Sequence, residues 1–276
     1  MAGLTFLNYI FIFGHFGFPE MELTGAGLAT FISRCLLLVS IIFLLIYKSV
    51  YKPYLQEVKQ AFVLKSSRIK DILRVGIPSA VQYGMEAGAF AVSGIMSGWL
   101  GYVQQAAHQI ALNMAAITYM VSLGISSAGS IRVANARGQG NKEQVRKIGY
   151  SNFSMAVVYG VICAVILFIG RSGLPKLFND ETEVLKYATG LMILAGVFQI
   201  SDSTQAVGIG LLRGVQDMKI PTLIVLVAYW IVGLPVGYFL AFNLKWEVYG
   251  LWVGFIVALS ASALLLFYRF KYKANQ

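Results

Sequence analysis

RVGIPSAVQYGMEAGAFAVSGIMSGWLG (residues 74–101) runs directly into YVQQAAHQIALNMAAITYMVSLGISSAGSIR (residues 102–132), and between the arginines at the two ends Glu86 is the only side chain with a formal charge at neutral pH. Each stretch exceeds the roughly 20 apolar residues that an α-helix needs to cross a bilayer. Glu86 is therefore expected inside a membrane. A carboxylate near the bilayer centre costs on the order of 2.5–3.5 kcal/mol even on insertion scales, so such residues are rare and face a protein interior or a water-filled path.

Composition sets the class. Hydrophobic residues make up 58% of the 276, charged residues 12%, and the mean hydropathy is +0.70, far from the roughly 25% charged typical of soluble domains. The chain reads as an all-α polytopic membrane protein. Its net charge of +10 sits between apolar runs and not in an aromatic-interleaved patch, which argues against nucleic acid as a partner. Cys35 and Cys163 lie in apolar runs and give neither a disulfide framework nor zinc spacing, so no metal or cofactor is expected. The opening MAGLTFLNYIFIFG lacks a basic lead and a small-residue cleavage pattern, so it does not read as a signal peptide.

Seven full transmembrane helices and one partial one are expected. Residues 4–14 are apolar but too few to cross; residues 25–47 form a full span that carries Arg34; residues 48–71 are a polar, basic connector. Two spans follow from residue 72, then spans near 150–169, 184–212, 220–242 and 248–267. Alternate loops divide the basic residues seventeen to four, with Arg34 in neither set. The rich side holds residues 48–74, 132–147, 213–219 and 269–273, and the positive-inside rule makes it and the C-terminus cytoplasmic, in a plasma (inner) membrane.

The two ends of the sequence look alike. LNYIFIFG, a link with Glu22 and GAGLATFIS are matched by PVGYFLAFN, a link with Glu247 and GLWVGFIVALS. A duplication would make residues 1–47 the tail of one repeat, residues 48–71 a linker and residues 72–276 a whole six-span repeat, with the repeats parallel.

At a rise of roughly 1.5 Å per residue, Glu86 lies about 18 Å from Arg74 and Asp202 about 17 Å from Arg213. Both are near the midplane. Gln82, Glu86, Ser93 and Ser97 form a polar stripe on one span, Gln199, Asp202 and Gln205 on another, and Gln105, Gln109 and Asn113 on a third beside His108. Amides and hydroxyls in such stripes serve mostly as hydrogen bonds between helices. The two carboxylates cost enough to bury that function is the better reading. His108 is a candidate proton relay, although a neutral histidine bonded between helices is the commoner arrangement. Tyr83 and Ser201 add oxygens near the carboxylates. Pro235 lies inside a span and is expected to kink it.

These residues carry a family resemblance. GIP with a glutamate eight residues after Pro78, AAHQIALN (106–113), SIRVANARGQGN (130–141), SDSTQ (201–205) and GLLRGVQDMKIP (210–221), in that order, resemble the multidrug and toxic compound extrusion (MATE) transporters. The resemblance implies two pseudo-symmetric six-helix lobes around a central cavity, and the chain resembles the end of the first lobe followed by the whole second. It implies proton- or sodium-coupled export of cationic drug-like compounds, with Glu86 and Asp202 as the cation-coupling positions. Gln82, Tyr83, Gln109, Asn113, Ser201 and Gln205 are then cavity-lining polar candidates. The implied partners are membrane lipid, a cationic small-molecule substrate and a first lobe that this sequence does not contain. Two other readings compete. A flippase of lipid-linked precursors would line its cavity with basic residues, whereas the midplane charges here are acidic apart from Arg34; a non-transporting remnant or assembly subunit would need no coupled cavity. An intramembrane enzyme is disfavoured, because no HExxH, GxGD or GxSxG occurs.

Overall fold

Eight helices are laid out by the computed structural model, which describes residues 2–17, 19–47 and 66–275. They are α1 (Ala2–Phe13), α2 (Glu22–Tyr47), α3 (Ser66–Leu100), α4 (Tyr102–Gly138), α5 (Lys142–Gly170), α6 (Thr182–Gly214), α7 (Lys219–Asn243) and α8 (Glu247–Asn275). No strand occurs among the described residues. The chain divides into two compact units, residues 1–69 and 70–276.

Six of the helices, α2 and α4 to α8, are long and apolar enough to cross a membrane. The expected seventh is α3, 35 residues long; with Gln82, Glu86 and several glycines in it, it is not among those six. It still packs among them: Thr222 of α7 donates to the Pro78 carbonyl (3.0 Å) and Trp230 Nε1 to the Met85 carbonyl (3.0 Å). Helix α3 starts at Ser66, ahead of the span expected from residue 72, so residues 66–71 are helical, while residues 48–65 of the expected connector lie outside the described residues. A charged first turn and a half costs a helix little once it extends past the bilayer into water.

Helix α6 is the centre of the larger unit and packs against α4, α5 and α8. Its polar residues meet α4 at helical spacing. Thr118 donates to Gln199 Oε1 (2.9 Å), Ser122 pairs with Ser203 (2.8 Å) and Ser126 donates to the Ala206 carbonyl (2.7 Å). Small residues let the backbones close: a Cβ on Gly210 would sit 2.7 Å from the Ser126 carbonyl oxygen. This is the small-residue, hydrogen-bonded packing that helices use where no water drives them together.

The irregularity at Pro235 is a change of helix type. α7 is α-helical over Lys219–Leu226 and Leu234–Tyr238 but takes wider π turns over Val227–Gly233 and Phe239–Asn243. The missing amide proton of Pro235 thus falls where the ladder changes its register, which is how such a residue is accommodated in a membrane helix.

The resemblance between the two ends extends to their backbones. Met21 N donates to Phe11 O (3.1 Å) across the α1–α2 link, and Trp246 N donates to Leu240 O (3.0 Å) across the α7–α8 link. Glu22 and Glu247 follow with positive φ of 45° and 51°. Three residues later Gly25 and Gly250 press on the preceding helix, where a Cβ would lie 2.6 Å from Phe11 C and 2.7 Å from Leu240 C. One local construction occurs twice, 225 positions apart.

Candidate functional site

Helices α3, α4 and α6 line an open-sided cavity of about 400 Å³, and both carboxylates face it. Glu86 is 9% exposed and Asp202 4%. Tyr83, Gln109, Asn113 and Tyr119 supply the other polar groups of the wall, and Phe90 and Phe198 much of the apolar part. Gln109 Nε2 donates to Asn113 Oδ1 at 3.4 Å.

Glu86 is held from behind. Tyr229 OH donates to its Oε1 at 3.4 Å, Gln205 Nε2 reaches the same oxygen at 3.4 Å and the Tyr229 hydroxyl at 3.2 Å. Ser262 of α8 donates in turn to Gln205 Oε1. Two helices, α6 and α7, therefore reach one carboxylate oxygen of α3, and α8 braces it through Gln205. Tyr229 belongs to the first π stretch of α7, and its neighbour Trp230 holds the adjacent Met85 carbonyl; the widened turn presents consecutive side chains to α3. Gln82, one turn before Glu86, is 1% exposed and its Oε1 has no hydrogen-bond partner.

Asp202 is different. It makes no side-chain hydrogen bond to any of the described residues, and neither carboxylate forms an ion pair among them; the ion pairs there are Lys147–Glu143 and Arg269–Asp217. Arg213 spends its guanidinium on Tyr83, donating from Nη2 to the hydroxyl at 3.1 Å. No set of three His, Cys, Asp or Glu side chains among the described residues is placed to hold a metal.

The sequence candidates thus separate. Glu86, Asp202, Tyr83, Gln109 and Asn113 line the cavity, and Gln82 and Gln205 are buried beside Glu86. Ser201 points elsewhere, to Ser260 of α8 at 2.8 Å. His108 lies outside the cavity wall: Trp252 Nε1 donates to its Nδ1 (3.1 Å), leaving Nε2 to reach Ser93 at 3.4 Å. That is a neutral ring bonded between helices. Tyr119, Tyr229 and Ser262 were not singled out from the sequence, since a tyrosine or serine in an apolar run reads first as packing.

A family profile described as MatE matches residues 78–239, which is more than half of the chain and includes both carboxylates. This chain belongs to the MatE family. Two curated relatives are each named "Probable multidrug resistance protein NorM". The one from Xylella fastidiosa (strain Temecula1 / ATCC 700964) is 32% identical over 266 residues, which cover 96% of this chain and 56% of the relative. The one from Agrobacterium fabrum (strain C58 / ATCC 33970) is 34% identical, covering 98% of this chain and 58% of the relative. The chain thus spans a little over half the length of the relatives it matches. Among solved structures, the eukaryotic MATE transporter AtDTX14 superposes with a TM-score of 0.85 at 26% identity, covering 99% of this chain and 61% of that one. A MATE structure in the straight conformation superposes with a TM-score of 0.87 at 17% identity, which speaks to the fold alone. As a member of a transporter family, this MatE chain is a multi-pass membrane protein and not an enzyme.

Proposed function

We propose that this chain forms the ion-coupling half of an antiporter that exports cationic, drug-like organic compounds in exchange for protons or sodium. The observation that carries the proposal is the pair of buried carboxylates, Glu86 and Asp202, facing one cavity with no basic partner among the described residues. A buried charge without a partner is strongly destabilising, so each carboxylate favours a bound cation. A proton neutralises it directly. A sodium ion would be drawn to the carboxylate oxygens of Glu86 and Asp202, because hard cations take oxygen ligands. An organic cation seated against Phe90, Phe198 and Tyr119 competes for the same carboxylates, and that competition is what links ion uptake to substrate release. The names of the relatives support multidrug export. The basic end of the bundle, with the C-terminus, is assigned to the cytoplasmic side of the plasma (inner) membrane by the positive-inside rule. A first lobe, in the same or a separate chain, completes the export pathway.

The test joins this chain behind the N-terminal half of the Xylella fastidiosa relative and follows cationic dye export across imposed proton and sodium gradients. Glu86→Gln and Asp202→Asn keep size and hydrogen bonding but remove the exchangeable charge. Each is expected to slow gradient-driven export at least ten-fold, equivalent to about 1.4 kcal/mol of lost coupling, at unchanged membrane abundance. Parent-rate export by both variants places coupling elsewhere and ends the proposal.

A further inference from the structure

A second cavity, of about 550 Å³, opens at the basic end of the bundle, where α3, the end of α4, the turn between α6 and α7 and the end of α8 meet. Arg74, Arg137, Lys219 and Lys273 line it. One carboxylate, Asp217, is also in the wall, but Arg269 Nε donates to its Oδ2 at 2.7 Å and compensates its charge. The first turn of α7 begins here too. Met218 offers it no side-chain cap, and Pro221 brings no amide proton, so the positive end of a 25-residue helix adds to the charges of Arg74, Arg137 and Lys219. A smaller cavity of about 150 Å³ shares Arg137 and Lys273 and adds Lys142.

Basic residues at helix ends ordinarily serve membrane insertion and remain in water. Here Arg74, Arg137 and Lys219, from three separate segments, converge on one concavity, and the one carboxylate among its described lining residues, Asp217, is matched by Arg269. We propose that this cavity binds a phosphate-bearing anion, the headgroup of an acidic phospholipid. Arg137 and Arg74 present guanidinium forks suited to phosphate oxygens, and the lysines add point charges. Apolar side chains continue from the site along the same helices: Leu73 and Ile77, exposed on α3, flank Arg74 and offer a surface to acyl chains. Basic pockets between membrane helices at this level are where acidic headgroups are held. The inference is independent of the coupling carboxylates at the cavity inside the bundle.

The 276-residue chain, purified in detergent micelles, is to be incubated with phosphatidylglycerol or with phosphatidylcholine of the same chain length, and retained lipid counted by native mass spectrometry. Phosphatidylglycerol is expected to be retained selectively. Each of Arg137→Gln and Lys219→Gln is expected to weaken its retention about five-fold and the pair about thirty-fold, at about 1 kcal/mol per basic residue. Arg171→Gln with Lys176→Gln, at the opposite end, changes nothing. The charge-conserving pair Arg137→Lys with Lys219→Arg retains the lipid, which separates loss of charge from loss of fold. Displacement of phosphatidylglycerol by millimolar inorganic phosphate identifies free phosphate as a ligand of the same site, and resistance to it identifies the lipid headgroup. Equal retention of the two lipids, undiminished retention in the Gln pair, or equal loss in the charge-conserving pair overturns the proposal.

Discussion

Glu86 and Tyr229 are 143 positions apart in sequence and share a hydrogen bond at 3.4 Å. Tyr229→Phe keeps the ring in its buried place and removes only the hydroxyl, so it isolates that contact. Loss of one such bond costs about 0.5–1.5 kcal/mol, to be read from unfolding midpoints in detergent. Measured at alkaline pH, where Glu86 is ionised, the cost is expected to shrink in a Glu86→Gln background, because the stronger bond to a charged acceptor is gone, and a double-mutant cycle should return a coupling of at least about 0.5 kcal/mol. Additive effects would mean that Tyr229 acts through packing alone. At this scale the legibility of the site follows burial cost. Glu86, Asp202, Gln82 and Gln205 announce themselves because a charged or amide group in an apolar run needs a reason. Tyr119, Tyr229 and Ser262 do not, since tyrosine is half apolar and serine small, and the pairings that give them meaning join different helices. Ser201 illustrates the converse: its neighbour in sequence is Asp202, but its neighbour in space is Ser260.

Elements were legible as far as hydropathy defines them. The span around Glu86 is the instructive exception: it is not among the helices apolar enough to cross a membrane by composition, and the polar side chains that mark function are part of the reason. The π stretches of α7 were legible only as a proline in the wrong place. Helix packing was not legible, because glycines that face a neighbour and glycines that face nothing look identical in sequence. Gly210 and Gly124 separate the two cases. A Cβ at Gly210 meets the Ser126 backbone, whereas one at Gly124 meets nothing within 4 Å. Gly210→Ala is therefore expected to spread the α4–α6 seam and lower stability by about 1–3 kcal/mol, while Gly124→Ala is neutral or stabilising by up to about 1 kcal/mol. Both are measured as unfolding in detergent; equal losses would show that the seam is not where the close approach matters.

For the whole molecule, alternation of the helices gathers the basic residues of the larger unit at one end and leaves Arg171, Lys176, Lys186 and Lys245 at the other. In a chain whose exposed Cys35 and buried Cys163 have been replaced, cysteines at Lys59 and Asn141 should resist an impermeant thiol reagent in intact cells and one at Asp180 should react. Labelling at Asn141 from outside would invert the assignment. The last expectation concerns what this length of chain can do by itself. Its carboxylate cavity is walled by α3, α4 and α6, and alternating access requires a second body against which such a wall rocks, so that the site opens to one side at a time. The matched relatives are longer, with this chain spanning 56% of the Xylella fastidiosa protein. Reconstituted in liposomes, the 276-residue chain is expected to bind its coupling ion yet drive no uphill flux of a cationic dye under a proton or sodium gradient. The fusion to a first lobe is expected to restore that flux. Gradient-driven flux by the 276 residues alone, lost on Glu86→Gln, would show that a second copy of this chain supplies the opposing wall, and a parallel measurement of oligomeric state would then find dimers.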